Sequence, residues 1–193
     1  MTSDAVQQTD ALSDLFGEVL RYAMPESVAV LGVAGGNGLE QIDSTVTRRV
    51  CGIDVNPRYL DATRERFRGL PGLELHCMDV SKPIWEVAPV DLVHAALIFE
   101  HTGLECCLEN AVRLVAGGGS FSVVLQLPSD QQEGVGVNSR PSIQTLRERF
   151  RLIEPVRLER ELEGDGFQIV RRVHRPLASG KGFWMGVFQR AGS

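Results

Sequence analysis

The chain has 193 residues, of which 43% are hydrophobic and 23% are charged, and this length suits one well-buried domain but is short for two. The formal net charge of -5 at pH 7 argues against a broad phosphate-binding surface, so we expect no nucleic-acid partner. No apolar run approaches the ~20 residues that span a bilayer, and the chain shows no secretion signal. We therefore expect no membrane partner and a cytoplasmic location.

The first part of the chain alternates apolar runs of strand length with helical segments. Helical spacing of apolar residues predicts a leading amphipathic helix within residues 1–25. SVAVLGV predicts a buried strand, and the glycine turn after it leads into a predicted helix that carries Leu39, Ile42 and Val46. RVCGIDV predicts the second strand, and the Asn-Pro pair that follows predicts the cap and first residue of the next helix.

Three more strands are predicted before residue 128. LELHCMDV predicts the third, with a short proline-bounded turn after it in place of a long helix; VDLVHAALIF predicts the fourth, and SFSVVLQL the fifth. A helix with one apolar face, from Leu104 to Val115, separates the last two strands and ends at three glycines. Alternation of this kind predicts a doubly wound α/β sheet with right-handed crossovers.

The last third of the chain has a different pattern. Residues 128–154 are a largely polar insertion that includes a predicted helix around SIQTLRERF, and a second short helix is predicted around PVRLERELE. FQIVRRVHRPL and GFWMGVFQR are extended runs separated only by ASGK, a spacing that predicts an antiparallel hairpin. Because no domain linker interrupts the sequence, we expect residues 1–193 to form a single domain.

Residues suited to ligand binding fall at the predicted carboxyl ends of the first three strands, where an open α/β sheet binds its ligand. Gly35, Gly36 and Gly38 would let a ligand approach the backbone, and the helix after them would offer free N–H groups. Asp54, at the end of strand two, is placed to accept hydrogen bonds from a ribose diol, and Asp79, after strand three, from an adenine amine. Their order predicts an adenosine pocket, although each feature alone is equally consistent with a tight connection or a capped turn.

These motifs resemble those of the class I S-adenosylmethionine-dependent methyltransferases. The matching segments are VLGVAGGNG after strand one, GIDVN at strand two, HCMDV at strand three and AGGGSFSVVL at strand five. The resemblance implies a three-layer, Rossmann-like, seven-stranded sheet that is mostly parallel and ends in a C-terminal antiparallel hairpin. It implies S-adenosyl-L-methionine as cofactor, and in-line methyl transfer to a small-molecule acceptor with S-adenosyl-L-homocysteine as product. The cofactor-binding residues that it implies are Gly32, Ala34, Gly35, Gly36, Asn37, Gly38, Asp54, Val55, Asp79, Val80 and Leu97.

The glycine motif departs from the family pattern at two positions. Gly32 stands where the family usually has an acid, and Ala34 stands where its first glycine is expected. The usual acidic partner of the methionine amino group is therefore missing. Glu40, backbone carbonyl groups or a residue of the leading helix such as Tyr22 remain as alternative partners.

The exit of strand four carries the candidate catalytic residues. Phe99-Glu100-His101 resembles the corresponding segment of cyclopropane fatty-acid synthases and of some quinone-biosynthesis O-methyltransferases, in which such residues lie beside the transferred methyl group. This resemblance implies Glu100 and His101 as catalytic residues, and His101 is suited to act as a base near neutral pH. The alternative is that both residues start and cap the next helix.

The remaining histidines and the cysteines do not predict a second site. His94 lies inside a strand, so we expect it to be a hydrogen-bonded core residue, and His76 and His174 have no partners in the sequence pattern. The cysteines lack C-x-x-C spacing, and the exit of strand four lacks the carboxylate cluster of metal-dependent O-methyltransferases. We therefore predict no metal.

Two other functions remain as alternatives. An NAD(P)-dependent oxidoreductase would use the G-x-x-x-G-x-G spacing of Gly32, Gly36 and Gly38, but neither tyrosine has the lysine four residues later that short-chain dehydrogenases need. The second alternative is a non-catalytic module that binds S-adenosylmethionine. We assign acceptor choice to the leading helix and residues 128–154, and the identity of the acceptor and the formation of a homodimer stay open.

Overall fold

The helices and strands alternate through most of the chain in the computed structural model, which describes residues 4–82, 87–128, 152–178 and 180–191. In chain order they are α1 (Asp4–Ala23), β1 (Ser27–Leu31), β2 (Arg49–Asp54), α2 (Pro57–Arg66), β3 (Leu73–Cys77), β4 (Val90–Ala96), α3 (Phe99–Thr102), α4 (Glu105–Arg113), β5 (Val115–Leu127), α5 (Pro155–Gly164), β6 (Phe167–Pro176) and β7 (Gly182–Arg190).

The seven strands form one sheet in the order β3-β2-β1-β4-β5-β7-β6. β1 pairs in parallel with β2 on one side and with β4 on the other. The strand order therefore reverses at β1, which opens a ligand-binding crevice at its carboxyl end. β7 lies antiparallel between β5 and β6. The predicted fold class, a mostly parallel sheet with a C-terminal antiparallel hairpin, is confirmed.

Helices cover both faces of the sheet, which gives the fold its three layers. α1 and α2 bury Leu15, Phe16 and Leu60 against one face. α4 and α5 bury Leu108 and Leu158 in a larger apolar cluster against the other. Each fully buried Leu or Phe side chain contributes roughly 1.5–3 kcal/mol, so the two clusters together hold the sheet in place and fix where its carboxyl edge lies.

The prediction of a helix after the glycine turn is wrong. Only a single 3-10 turn, Leu39–Gln41, forms there, and the chain then runs irregularly to β2. Asp43 ends any helical path because its Oδ1 accepts hydrogen bonds from the backbone N–H and the hydroxyl of Thr45, a local turn that competes with a helix. The Thr47 hydroxyl donates to the Pro25 carbonyl at 2.7 Å instead of facing a helical turn.

The other local predictions divide between confirmed elements and undescribed residues. Asn56 caps α2 by accepting from the Arg58 N–H at 3.0 Å, with Pro57 at the first helical position, and the predicted helix around PVRLERELE is confirmed as α5. Most of the predicted insertion, including the helix around SIQTLRERF, lies outside the described residues, as do residues 83–86 of the short turn after β3. No helix among the described residues is long and apolar enough to cross a membrane.

The glycine turn offers a matched pair of substitutions that tests its packing. Gly36 has φ +80°, and a Cβ there would lie 2.6 Å from Phe67 Cε2, whereas a Cβ at Gly35 would meet no described atom within 4 Å. We expect Gly36→Ala to lower the free energy of unfolding by about 2 kcal/mol or more, because it adds left-handed strain to an overpacked contact. Gly35→Ala should change it by less than about 0.5 kcal/mol. Urea denaturation measures both, and equal losses would contradict the described turn.

Candidate functional site

Backbone hydrogen bonds bring the ends of four neighbouring strands to one edge of the sheet. The N–H groups of Gly32 and Val33, just after β1, both donate to the Ile53 carbonyl of β2. Met78 N–H, after β3, donates to the Asp54 carbonyl, and Leu97 N–H, after β4, donates to the Val124 carbonyl of β5. The structure therefore places the sequence-predicted glycine turn, both acids and the exit of β4 along this edge.

The turn after β1 is built from alternating left-handed residues. Gly32, Ala34, Gly36 and Gly38 have φ values of +70°, +47°, +80° and +89°. Ala34 is the only residue of the four with a side chain, and such a backbone angle is uncommon for it. Thr63 of α2 holds it there, because the Thr63 hydroxyl donates to the Ala34 carbonyl at 2.9 Å.

Asp54 ties this turn to the end of β2. The side chain is 9% exposed; its Oδ2 accepts from the Ala34 N–H at 2.9 Å, and its Oδ1 accepts from the Asn56 N–H at 2.8 Å. Each carboxylate oxygen can accept a second hydrogen bond, so Asp54 keeps acceptor capacity for a ligand while it holds the turn. Val55, the next residue, is 66% exposed.

Asp79 forms a turn of its own, two residues beyond the end of β3. Its Oδ1 accepts from both the N–H and the hydroxyl of Ser81, at 3.0 and 2.6 Å. These hydrogen bonds lower the pKa of Asp79, so the carboxylate stays ionised. Its Oδ2 lies 3.8 Å from Lys82 Nζ, and the neighbouring Val80 is buried in the larger apolar cluster. Asp79 therefore caps a turn, as the alternative interpretation holds, and its second carboxylate oxygen is engaged only by the longer contact with Lys82 among the described residues.

The end of the glycine turn packs against α1 rather than leading into a helix. The Asn37 side-chain amide donates to the Thr9 carbonyl of α1 at 3.0 Å. Glu40 accepts from the Gly38 N–H, from the Ser13 hydroxyl and from Arg66. The expectation of a free N–H at this point of the turn is therefore wrong for Gly38, because a neighbouring carboxylate already binds it.

Gly32, which stands where the family usually has an acid, lies close to the Ile98 side chain. A Cβ at Gly32 would lie 2.9 Å from Ile98 Cδ1, so any side chain there would have to displace Ile98. Of the alternative partners for a ligand ammonium group, Glu40 is already bound by three donors. Tyr22 lines an open cavity of about 390 Å³ with Asp91, at the opposite edge of the sheet. This geometry favours backbone carbonyl groups.

The exit of β4 places Glu100 and His101 in different environments. Leu97 has a left-handed φ of +56°, after which α3 begins. Glu100 is 1% exposed; its Oε1 accepts from the Gln126 N–H of β5 at 2.8 Å, and its Oε2 has no hydrogen-bond partner among the described residues. Burial raises the pKa of this carboxyl group. His101 is exposed, so only His101 of the two is open to a substrate.

His94 is a core residue, as predicted. Its ring stacks on Phe16 with centroids 4.5 Å apart, and its Nδ1 lies 3.2 Å from the Ser122 hydroxyl. Burial lowers the pKa of His94 to about 3, so the ring is neutral.

The sequence pattern missed one cluster. Cys51 of β2 pairs directly with Glu74 of β3, and His76 lies two residues further along β3 on the same face. His76 thus has polar neighbours that the sequence did not indicate: its Nε2 lies 3.6 Å from Glu74 Oε2, which is close but beyond hydrogen-bond distance. Only the β2–β3 register, which the sequence does not state, brings these side chains together.

Comparison with known proteins agrees with this geometry. Residues 28–119 match the sequence model of a family described as "Methyltransferase domain". No curated protein sequence was found to match the chain. The N-methyltransferase NodS from Bradyrhizobium japonicum WM9 superposes with a TM-score of 0.71 at 16% identity, over 98% of this chain and 99% of NodS.

Two further solved structures share the fold. Magnesium protoporphyrin IX methyltransferase (ChlM) from Synechocystis PCC 6803, solved with bound SAH, has a TM-score of 0.70 at 10% identity, over 99% of this chain and 89% of ChlM. The [4+2]-cyclase SpnF has a TM-score of 0.72 at 14% identity, over 95% of this chain and 81% of SpnF. At such identities a structural match shows the fold alone.

Three features define a Rossmann-like domain: the strand order reverses at β1, the glycine turn is tied to an acid on β2, and β7 is inserted antiparallel. Domains of this kind bind their ligands at the carboxyl edge of the sheet. The family match runs from β1 to the first residues of β5 and includes the glycine turn, Asp54, Asp79 and the exit of β4. Residues 28–119 therefore form a methyltransferase domain, and the predicted resemblance to the class I S-adenosylmethionine-dependent methyltransferases and the predicted enzyme class are confirmed.

The buried carboxyl group of Glu100 makes stability depend on pH. Because burial raises its folded-state pKa above the ordinary 4.5, the folded protein holds a proton that the unfolded chain loses. Stability therefore falls as the pH rises from the unfolded pKa through the folded pKa, by about 1.4 kcal/mol for each pKa unit between them. Glutamine does not ionise, so the stability of Glu100→Gln should not fall in this way as the pH rises. The free energy of unfolding of the variant, relative to that of the wild type, should therefore be higher at pH 8 than at pH 5.

Urea denaturation at the two pH values measures this gain. Glu109→Gln is the matched control, because the Glu109 side chain is 65% exposed and, within the described part of the chain, its ion pair is with Arg113 on the same helix, α4. It should change stability by less than about 1 kcal/mol at either pH. If Glu100→Gln and the wild type showed the same pH dependence, Glu100 would not be protonated on folding.

Proposed function

We propose that this chain transfers a methyl group from S-adenosyl-L-methionine to a small-molecule acceptor by in-line displacement and releases S-adenosyl-L-homocysteine. The observation that carries the proposal is the Ala34–Asp54 hydrogen bond, which fixes a close-approach backbone turn beside a carboxylate with unused acceptor capacity. Support also comes from the family match and from the solved complexes of NodS with S-adenosyl-L-homocysteine and of ChlM with SAM.

The residues of the carboxyl edge fit the cofactor in three respects. Asp54 can accept from the ribose hydroxyls without releasing its two backbone donors. We assign the adenine amine to Oδ2 of Asp79, which lies 3.8 Å from Lys82 Nζ. Gly35 leaves open space beside the turn. The remaining residues that we assign to the cofactor are Gly32, Ala34, Gly36, Asn37, Gly38, Val55, Val80 and Leu97. When bound, the cofactor supplies a methyl group on a positively charged sulfonium, and neutral S-adenosyl-L-homocysteine is a good leaving group. The cofactor carries no phosphate.

For Asn37 and Val80, we assign a contact through the backbone. The Asn37 side chain is bound to Thr9, and the Val80 side chain is buried in the larger apolar cluster. The same reasoning makes Glu100 a positioning residue rather than a catalytic one. It is too buried to touch an acceptor, but its bond to the Gln126 N–H holds the β4 exit against the end of β5.

His101 is the residue to which we assign proton removal from the acceptor. It is exposed on the short helix α3, directly after the buried Glu100. An imidazole near neutral pH is an effective base for a hydroxyl or carbon acid. Displacement at the methyl group needs little else from the protein than positioning and exclusion of water.

A small-molecule acceptor is supported by two observations. The net charge of -5 offers little attraction to a nucleic-acid backbone. ChlM, which shares the fold, is a methyltransferase named for a small molecule, magnesium protoporphyrin IX. We assign acceptor choice to α1 and residues 128–154, whose arginines suit a carboxylate or phosphate on the acceptor.

The cofactor proposal predicts selective ligand binding. S-adenosyl-L-homocysteine should raise the melting temperature, whereas NAD and NADP should not, because stabilisation follows from binding to the folded state alone. Asp54→Asn should weaken S-adenosyl-L-homocysteine about 10-fold or more, since hydrogen bonds to a charged group contribute about 1.5–3 kcal/mol. Thermal shift and calorimetric titration measure the two effects.

Asp91→Asn is the control for that substitution. Asp91 accepts from the N–H and hydroxyl of Ser27 at the opposite edge of the sheet, so it resembles Asp54 in its backbone bonding but lies away from the site. Its variant should keep full affinity. A response to NAD or NADP without one to S-adenosyl-L-homocysteine would favour the oxidoreductase, and unchanged affinity in Asp54→Asn would remove the ribose contact.

The catalytic proposal predicts that His101→Ala separates turnover from binding. Loss of a general base should slow methyl transfer about 100-fold or more and abolish the rise of rate with pH, while S-adenosyl-L-homocysteine affinity stays unchanged. Transfer from labelled S-adenosyl-L-methionine to a panel of hydroxyl, amine and carbon-acid acceptors gives the rate. His174→Ala, an exposed histidine of β6, should behave as the wild type. Binding without turnover on any acceptor would support a non-catalytic module instead.

A further inference from the structure

Three side chains with metal-binding atoms meet on one face of the β2–β3 pair. One ligand atom from each of Cys51, Glu74 and His76 lies within 4.8 Å of the other two. We propose that these residues form a binding site for a divalent cation of the zinc class, separate from the carboxyl edge and independent of the methyl-transfer proposal.

Two of the three distances within the cluster match those of a tetrahedral site, and the third, between Cys51 Sγ and a His76 ring nitrogen, is no more than 4.8 Å. Cys51 Sγ lies 3.4 Å from Glu74 Oε2, and His76 Nε2 lies 3.6 Å from the same oxygen. Zinc binds sulfur, nitrogen and oxygen at about 2.0–2.3 Å, so two ligand atoms of a tetrahedron stand about 3.4–3.6 Å apart. The side chains would therefore need only small rotations to bind one ion.

His76 supplies a second observation that points to a ligand. Its Nε2 is shielded from solvent and has no hydrogen-bond partner among the described residues, because 3.6 Å to Glu74 is too long for one. A buried polar atom left unpaired costs about 1–3 kcal/mol. A cation bound at Nε2 would remove that cost.

Arg49 orients the carboxylate of the cluster. Its Nε donates to Glu74 Oε1 at 3.0 Å and its Nη2 donates to Oε2 at 3.1 Å, in the way that outer partners hold metal ligands in place. The guanidinium charge opposes a cation, but Glu74 and a Cys51 thiolate bring two negative charges against it. With the ion bound, the cluster would carry a single net positive charge.

Binding would exchange a proton for the metal at Cys51. In the structure the Cys51 thiol donates to Glu74 Oε2 at 3.4 Å. Formation of the sulfur–metal bond would break the S–H bond and release the proton to solvent, as coordination of a thiol does.

The donor set selects the metal and indicates its role. A thiolate, an imidazole and one carboxylate suit zinc, whereas magnesium and calcium prefer oxygen ligands. His76 and Glu74 are 27% and 42% exposed at their side chains, which leaves access for a water as fourth ligand. Because β3 is the edge strand of the sheet, an ion here would cross-link the edge to β2 and stabilise the fold.

Cobalt substitution tests this site directly. Titration of the chelator-treated full chain with Co²⁺ should give thiolate-to-metal charge-transfer absorption and the visible bands of a tetrahedral ion, saturating at about one equivalent. Zn²⁺ should displace the cobalt and raise the melting temperature. Cys51→Ser should abolish the charge-transfer band, and His76→Ala should weaken binding about 100-fold or more.

Two matched controls separate this site from adventitious binding. Cys77→Ser removes an exposed thiol at the end of the same strand as His76, and His174→Ala removes an exposed histidine of β6; both should bind Co²⁺ as the wild type does. Because His76 is only partly buried, we expect His76→Ala to fold, so metal binding can still be tested if Cys51→Ser does not fold. Circular dichroism checks the folding of both variants. Absence of a charge-transfer band in the wild type, or equal binding by His76→Ala, would overturn the proposal.

Discussion

The hydrogen bond from the Ala34 N–H to the Asp54 carboxylate is the contact on which the carboxyl edge depends. It joins the turn after β1 to the end of β2 at the point where the strand order reverses. The Thr63 hydroxyl holds the other side of the same residue through the Ala34 carbonyl, so both polar groups of a left-handed alanine are bound. A backbone in this sparsely populated region persists only when its surroundings determine it, and here two elements, β2 and α2, do so.

Helix α1 supports the glycine turn after β1, as a helix directly after that turn would otherwise do. Because only one 3-10 turn follows the glycines, the far end of the turn rests on α1, where Asn37 binds the Thr9 carbonyl and Ser13 binds Glu40. Phe16 packs against Gly38 so closely that a Cβ there would lie 2.9 Å from its ring. The same α1 to which we assign part of acceptor choice is thus in direct contact with the proposed cofactor turn.

Periodicity and spacing predicted the strands, the sheet class and the hairpin, because these depend on patterns within one segment. The helix through Leu39, Ile42 and Val46 failed because a local turn at Asp43 outweighed a correct 3.6-residue pattern. In the site, the glycine turn and Asp54 could be located from the sequence, but the burial of Glu100 and the meeting of Cys51 with His76 could not. Those two depend on how neighbouring strands pack and pair, information that no single segment contains.

Because Ile98 lies close to Gly32, the side chain that position 32 can carry depends on the residue at position 98. An aspartate at position 32 would meet Ile98 Cδ1 and would also sit at a φ of +70°, which side chains disfavour. The Ile98 side chain would have to rotate or become smaller, and the turn would have to change its backbone path, to accommodate an acid there. Replacement of Gly32 by an acid therefore calls for accompanying changes in the Ile98 side chain and in the path of the turn.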